Sequence, residues 1–425
     1  MLSGKMYRFR TDSAFLDRRY LEGYLRSPLA QAAIDRMKTG ISDSGLNLTQ
    51  KRFKGLSVPV APVTEQHRIV EAIESYLTRL DDAVASLERV QRNLERYRAS
   101  VLKAAVEGRL VSTEAELARQ EGRSYEPADV LLKRILAERK ARWIEDAAEK
   151  ARAKGNADAL LEAKKLAEKK YKEPAPPDTT DLPALPEGWC WTTMDQLTNS
   201  GPQNGIYVPK SRYGQGMPIL RIDDYQVDSS RSSRELQKVE LDSDESAKYA
   251  LCERDIVINR VNSPSHLGKS MVVEPRHIPA VFESNMMRLS LAPGVIAAFV
   301  QAYLTSAEGK RRLTSNAKWA VNQASINQQD VGATPVPLPP IAEQRRIVEA
   351  VGEQLSRSHS ITAVSQTSNV RAARLRQSIL KWAFEGKLVE QDPNDEPASV
   401  LLERIKAEHQ AASAKPKRKE KKGTT

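Results

Sequence analysis

From Ile73 to Ala104 the chain repeats an apolar or amphipathic residue at alternating steps of three and four: Ile73, Tyr76, Leu80, Ala83, Leu87, Val90, Leu94, Tyr97, Val101 and Ala104. Such spacing keeps one stripe on one face of a helix. The helix is expected to start near Glu65, where an acidic side chain meets the positive end of the dipole. It is expected to stop at Gly108, a residue suited to the left-handed position past a helix end. About 43 residues at about 1.5 Å each make a rod of roughly 65 Å. A stripe of that length calls for a partner helix, and the pattern predicts a coiled coil.

The sequence itself supplies the partner. Residues 336–389 repeat residues 58–111 without a gap, and 23 of the 54 positions are identical. VPVAPVTEQHRIVEAI corresponds to VPLPPIAEQRRIVEAV, and SVLKAAVEGRLV to SILKWAFEGKLV. After a small length change the match resumes between Tyr125–Lys140 and Asp395–Gln410. Each copy opens on a proline-rich stretch that cannot be helical. In the second copy the stripe falls on Val351, Gln354, Ser358, Ile361, Ser365, Ser368, Ala372, Leu375, Ile379 and Trp382. Its middle is polar, so the centre of the helix pair is expected to be weaker or wetter than the ends.

Between the copies the texture changes twice. Residues 138–180 are rich in Ala, Lys and Glu, end in prolines, and read as a charged helical linker. From there short strand-like runs appear (Pro218–Ile222, Asp255–Asn259, Met271–Val273, Met287–Leu291), followed by a helix over Val295–Leu313. Residues 181–335 therefore read as a mixed α/β domain. The N-terminal 57 residues look like the end of the same kind of domain. Met6-Tyr7-Arg8-Phe9 parallels Met286-Met287-Arg288-Leu289, Tyr24-Leu25 parallels Tyr303-Leu304, and Gly45-Leu46-Asn47 parallels Ser325-Ile326-Asn327. The expected order is a domain remnant (1–57), a helical region (58–137), the linker (138–180), a full domain (181–335), a second helical region (336–410) and a basic disordered tail (411–425).

Charge and composition narrow the function classes. The net charge of +11 sits in residues 1–64, in the linker and in the tail, whereas 181–335 carries 16 basic against 17 acidic side chains. The intact domain is thus not an indiscriminate phosphate binder. Two cysteines, Cys190 and Cys252, make neither a disulfide framework nor a four-ligand zinc site. No apolar run is long enough for a membrane helix, and no signal segment is visible, so a cytoplasmic setting is expected. The run Ser265–Ser270 lacks the first glycine of a phosphate-binding loop, because position 263 is serine. The five histidines are scattered, and His266 and His277 read as surface or loop residues. No catalytic or metal site is expected.

With these pieces in hand, the chain resembles the DNA-specificity subunit of type I restriction–modification enzymes. The resemblance rests on the duplicated Pro-x-x-Glu-Gln-x-Arg-Ile-Val stretches with their helices, LPEGWCW at Leu185–Trp191, the run from Asp255 to Ser263 with Leu267-Gly268-Lys269, and Gln323-Ala-Ser-Ile-Asn327. It implies an α+β fold in which mixed α/β target-recognition domains are joined by two long antiparallel coiled-coil helices. Each recognition domain would read one half of a split target in double-stranded DNA. Two methyltransferase subunits would dock on the helices, and restriction subunits would join through the complex. S-adenosylmethionine, ATP and Mg would belong to those partners, with no cofactor in this chain. Nothing in the first 57 residues corresponds to about 186–284, so the first recognition domain is expected to be truncated. The alternatives are a coiled-coil scaffold and a half-subunit that self-associates. A basic nucleic-acid binder without sequence preference is a third reading.

Candidate contacts follow from side-chain chemistry. Arg and Lys can bond guanine edges, and Asn can pair with adenine. On that ground Tyr207, Lys210, Arg212, Tyr213, Arg221, Arg260, Asn262, Ser263 and Lys269 are the expected DNA-binding residues. Arg221 and Arg260 have a competing reading as partners of Asp223, Asp224 or Asp255, and Asn262-Ser263-Pro264 as a turn. Glu65, Gln66 and Arg68, with Glu343, Gln344 and Arg346, open the two helices. They read either as helix-end packing or as a duplicated docking surface for two like partners.

Overall fold

The computed structural model describes residues 6–12, 14–39, 47–153, 159–226, 230–320 and 323–414. Residues 411–414 of the expected disordered tail continue the helix Ala398–Ala414; the rest of the tail and the Gly45-Leu46 motif lie outside the described residues. Two compact units are formed, one by Met1–Arg92 with Thr362–Thr425, the other by Asn93–Ile361. The long helices Val63–Val106 and Ile341–Phe384 each contribute to both. Gly108 and Gly386 follow their ends at φ +66° and +69°, where a side chain would be strained.

The first unit is helical. Helices Arg18–Arg26 and Pro28–Met37 turn at Ser27, whose hydroxyl caps the second by accepting from Ala30 N. The core joins Tyr20, Leu21 and Tyr24 to Ile69, Val70 and Ile73 and to Ile379, Leu380, Ala383 and Phe384. Tyr20 and Tyr24 meet the Phe384 ring edge-on, with centroids 5.1 and 5.3 Å away.

The second unit carries the α/β domain. Its four-stranded antiparallel sheet runs in the order Thr198–Asn204, Met286–Leu291, Ile256–Asn259, Ser270–Val272. A second sheet places Tyr213–Leu220 between Lys238–Val239 and Val281–Phe282. A third joins the hairpin Lys318–Ala320 and Gln323–Ser325 to Val261–Asn262. The domain is attached by a two-stranded ribbon, Cys190–Thr193 antiparallel to Pro335–Leu338. The helix expected over Val295–Leu313 is in fact two, Ala297–Thr305 and Ala307–Leu313, divided at Ser306, which caps the second through Gly309 N. Ser306 therefore repeats the role of Ser27.

The helix seam differs from the expected stripe in one half. Ile73, Leu80, Leu87, Leu94 and Val101 face inward, but Tyr76, Val90 and Tyr97 are exposed. The second inward row is Leu77, Val84, Gln91, Arg98 and Ala105. Polar residues at two of these positions made the true row look less apolar than its outward neighbour. The serines of the second helix accept those polar side chains. Within the first unit Gln91 Nε2 donates to Ser365 Oγ at 3.1 Å, and within the second Arg98 Nε donates to Ser358 Oγ at 2.8 Å. Ser358 and Ser365 are 1% and 2% exposed, whereas the inward Leu80, Leu87 and Leu94 are half-buried and the fully buried apolar residues of the first long helix lie towards its ends.

Residues 138–153 and 159–170 of the expected charged helical linker are helical and packed. Helix Ala128–Ala153 lies against Ala159–Lys170, Trp143 Nε1 donates to Ala167 O at 3.2 Å, and Lys164 pairs with Glu145 at 2.8 Å. Arg139 Nη2 reaches Asp195 Oδ1 of the α/β domain at 2.9 Å.

Candidate nucleic-acid interface and the clasps that hold it

The two Glu-Gln-x-Arg segments build matching clasps. Gln344 Oε1 accepts from Ile296 N at 2.9 Å, and its amide donates to Pro339 O at 2.9 Å and Gly294 O at 3.4 Å. Gln66 repeats this in the first unit, accepting from Asp17 N at 2.9 Å and donating to Ala61 O at 2.8 Å and Phe15 O at 3.1 Å. Both glutamines are fully buried, and each satisfies backbone groups of a loop and of its own helix start. The tyrosines repeat as well: Tyr303 Oη donates to Pro335 O at 2.7 Å and Tyr24 Oη to Ser57 O at 2.8 Å.

Glu343, also fully buried, accepts from Trp189 Nε1 and from Glu114 N, both at 2.9 Å. Burial pushes its carboxyl above the usual range, against those two bonds and Arg346. Arg346 pairs with Glu114 at 2.7 Å. Burial raises the Glu114 carboxyl too, but bonds from Arg346 and Arg123 override it and hold it low. In the first unit Arg68 pairs with Asp395 at 2.6 Å, and Arg68 and Thr64 hold the Asp395 carboxyl below its usual range. Gln66, Glu343 and Gln344 are buried and bonded within their own unit, and the half-buried Arg68 and Arg346 each pair with a carboxylate of theirs, so of the two readings these contacts favour helix-end packing over a docking surface. Glu65 is buried as well, at 6% exposed.

The DNA-contact candidates also divide. Tyr207 is 79% exposed, pointing out between buried Ile206 and Val208, and Lys210 is exposed beside it. Arg212 is taken up by Glu245 and by Glu240 O at 2.8 Å. Tyr213 is half-buried against the cluster of Ile206, Val208 and Ile219. Arg221 reaches Gln237 Oε1 at 3.1 Å and Glu283 at 3.5 Å, and Arg260 donates to Ser284 O at 3.1 Å. Asn262 Oδ1 accepts from Ser263 N at 2.7 Å, and Ser263 Oγ lies 2.9 Å from His266 Nδ1. Lys269 donates to Tyr225 O at 2.7 Å and Ile222 O at 3.1 Å, with its ammonium 4.4 Å from the centre of the Tyr225 ring. Burial lowers its pKa. Arg212 and Lys269 are thus internal braces, a correction to their reading as open loop cations. His277 is corrected likewise: it is 1% exposed, accepts from Glu274 N at 2.9 Å, and sits 2.8 Å from Ser230 Oγ.

One exposed feature escaped the residue-by-residue reading. Trp319 is 62% exposed on the hairpin Lys318–Ser325, with Lys318 and Gln323 exposed beside it. The hairpin pairs directly with Val261–Asn262, so the same sheet carries Asn262. A tryptophan in so polar a run (Asn316-Ala-Lys-Trp-Ala-Val-Asn-Gln) with no apolar period around it was the available signal. Among the described residues no helix is long and apolar enough to cross a membrane, and no group of three His, Cys, Asp or Glu is placed to hold a metal ion.

No protein-family model matches the chain. The type I restriction enzyme StySPI specificity subunit of Salmonella potsdam is 25% identical over 411 residues, covering 94% of this chain and 74% of that protein. The EcoKI specificity subunit of Escherichia coli strain K12 is 22% identical over 406 residues, covering 93% and 73%. A chain from a solved structure described as the basis of complex assembly and conformational transition of the type I R-M system superposes with a TM-score of 0.58 at 17% identity, over 89% of this chain and 73% of that one. By sequence along most of its length, and with a fold of the same kind, the chain is a relative of the type I restriction enzyme specificity subunits.

Proposed function

We propose that the chain is the non-catalytic DNA-specificity subunit of a type I restriction–modification assembly, and that residues 181–335 read one half of a bipartite target. The observation that carries this reading is the set of exposed side chains Tyr207 and Lys210 and, on the strands beside Val261–Asn262, Lys318, Trp319 and Gln323, on a domain of nearly balanced charge. Base edges are read by such side chains held on a rigid frame, while a neutral domain adds little sequence-blind phosphate attraction. Arg260, Asn262 and Ser263 stand at the base of the same sheet and serve mainly to fix its shape.

Methyltransferase subunits dock, in this proposal, on the outward rows of the long helices rather than on the clasps. Tyr76, Val90, Leu375 and Trp382 in the first unit, and Tyr97 and Ile361 in the second, are each 40% or more exposed. Apolar residues in that state on a polar helix mark an interaction surface. S-adenosylmethionine, ATP and Mg act in the partner subunits. Reconstitution with a methyltransferase and a restriction subunit, followed by mapping of methylated adenines, tests the reading. A single recurrent half-site that changes when residues 194–334 are exchanged supports it. Methylation without a shared sequence overturns it.

A further inference from the structure

A cavity of about 520 Å³ lies wholly within Asn93–Ile361, bounded by the helix Ala297–Thr305, the loop Ser265–Ser270 and both long helices. Its floor is apolar, made by Leu102, Ala302, Val348, Val351 and Leu355. Arg98, His266, Lys269 and Lys310 also line it, and no Asp or Glu does among the described residues. Lys310 Nζ donates to Ser265 O at 2.8 Å, one bond from a group with three donors. Ser270, 8% exposed, stands in the wall, and its buried hydroxyl has no hydrogen-bond partner. Leaving a buried hydroxyl unpaired costs free energy. A Cβ at Gly352 would meet nothing within 4 Å, so the second long helix leaves room there.

The first unit holds a counterpart with a different charge. A cavity of about 660 Å³ is floored by Val70, Ile73, Leu77 and Leu380, the repeat equivalents of Val348, Val351, Leu355 and Leu102. There Glu22 and Glu74 line the cavity, at the positions of Gln301 and Gly352, and pair with Arg26 and Arg19 at 2.7 and 3.1 Å. The duplicated scaffold therefore accounts for the floor of both cavities. It does not account for a cationic rim without a lining carboxylate, which belongs to the second unit alone.

We propose that the cavity of the second unit binds a small organic anion. A ring or hydrocarbon body covers the apolar floor, and a phosphate, sulfonate or carboxylate head meets Lys310 and His266, which converge on Ser265. The Ser270 hydroxyl donates to a polar atom of the same molecule. A site of this volume, mostly apolar with a few polar groups, suits a small ligand. A phosphodiester of DNA would answer the cations but leave the floor without an apolar partner, and an apolar side chain of another protein would do the reverse. One compact amphiphilic anion satisfies both.

The test is titration of the full chain with anilinonaphthalene sulfonate, an aromatic anion of the proposed class, followed by its fluorescence. Saturable binding of one probe per chain is expected. Lys310→Met, and Gln301→Glu copying Glu22, each weaken it about tenfold or more with circular dichroism unchanged, as loss of a charge-assisted bond or a like-charge contact implies. Ser270→Ala weakens it about threefold and leaves the melting temperature of the unliganded chain unchanged, because that hydroxyl bonds nothing in the chain. The uncharged N-phenylnaphthylamine binds about tenfold more weakly than the sulfonate. Adenosine monophosphate and octanoate serve as competitors, and displacement by either supports the site and tells an organic phosphate from a carboxylate. Absence of saturable binding, equal binding by the Lys310→Met and Gln301→Glu variants, or equal affinity for the uncharged probe overturns the proposal. So does displacement by neither competitor at about 10 mM, or by a DNA duplex at lower concentration than either, since the occupant would then be a phosphodiester.

Discussion

The indole of Trp189 donates to the carboxylate of Glu343 at 2.9 Å, tying the start of the inserted domain to the first turn of the second long helix. Trp189→Phe keeps most of the packing, including the edge contact with Phe299 6.2 Å away, but leaves Glu343 one donor short. The expected cost is about 1–3 kcal/mol, read as a lower urea midpoint at unchanged slope.

Glu343 also gives the stability a pH signature. Burial raises its carboxyl above the ordinary value of 4.5, so the folded chain keeps this proton to higher pH than the unfolded chain. Its contribution is favourable at low pH and is lost as pH rises through the raised value. Glu343→Gln removes the titration. The unfolding free energy of the wild type relative to this variant is expected to fall as pH rises from 4.5 towards neutrality, a trend followed by urea unfolding at several pH values. A flat difference would show that Glu343 does not titrate in that window.

Asp395 behaves in the opposite sense. Arg68, then Thr64, holds its carboxyl below the ordinary 3.8. The stability it supplies is present above that value and disappears as pH falls through the lowered one. Acidification is therefore expected to speed amide exchange in helix Ala398–Ala414 early, and Asp395→Asn is expected to do so already at neutral pH.

The polar layer of the helix seam separates stability from register. Ser365→Ala leaves the Gln91 amide without its acceptor and is expected to cost about 0.5–1.5 kcal/mol. Gln91→Leu combined with Ser365→Ala replaces both partners by apolar groups and is expected to be neutral or stabilising, at the expense of helix alignment. Chemical denaturation and cross-linking of engineered cysteines along the seam measure the two effects.

At the reading face, Trp319→Ala is expected to weaken specific DNA binding by about 1–3 kcal/mol, the size of an aromatic–base contact, without lowering the melting temperature. Lys210→Ala is expected to reduce the salt slope of binding by about one. Lys269→Met does the reverse: it removes the donor to Tyr225 O and Ile222 O and lowers stability first. Binding isotherms at several salt concentrations, alongside thermal melts, distinguish the three.

The long helices were legible because a seven-residue period over many turns has few other solutions, and the repeat from Val58 to Val111 gave the partner. The seam's second row was not, because Gln91 and Arg98 are inward for reasons that lie in Ser365 and Ser358, far along the chain. The Glu-Gln-x-Arg segments were visible as a repeat, but their sequence left helix-end packing and docking both open. The partners of Gln66 and Gln344 are backbone atoms of loops about fifty residues away, and no local pattern reports them. Lys269 reads as a loop cation in sequence, and only the closing of Ile222–Tyr225 beneath it turns it inward. Trp319 illustrates the converse, an aromatic residue whose isolation in a polar run was the clue.

The ribbon of Cys190–Thr193 and Pro335–Leu338 limits what can replace the domain. The α/β domain leaves and rejoins the helical scaffold at neighbouring backbone positions, with Thr193 opposite Pro335. Everything between them is a plug with two adjacent pins, and the socket is made by Gln344, Glu343 and the helix that follows. Any replacement for the segment between those pins must therefore keep the Ile296 N–H and the Gly294 carbonyl on Gln344 and an apolar face against Ile347 and Val351, and a segment that does so can be exchanged as one unit.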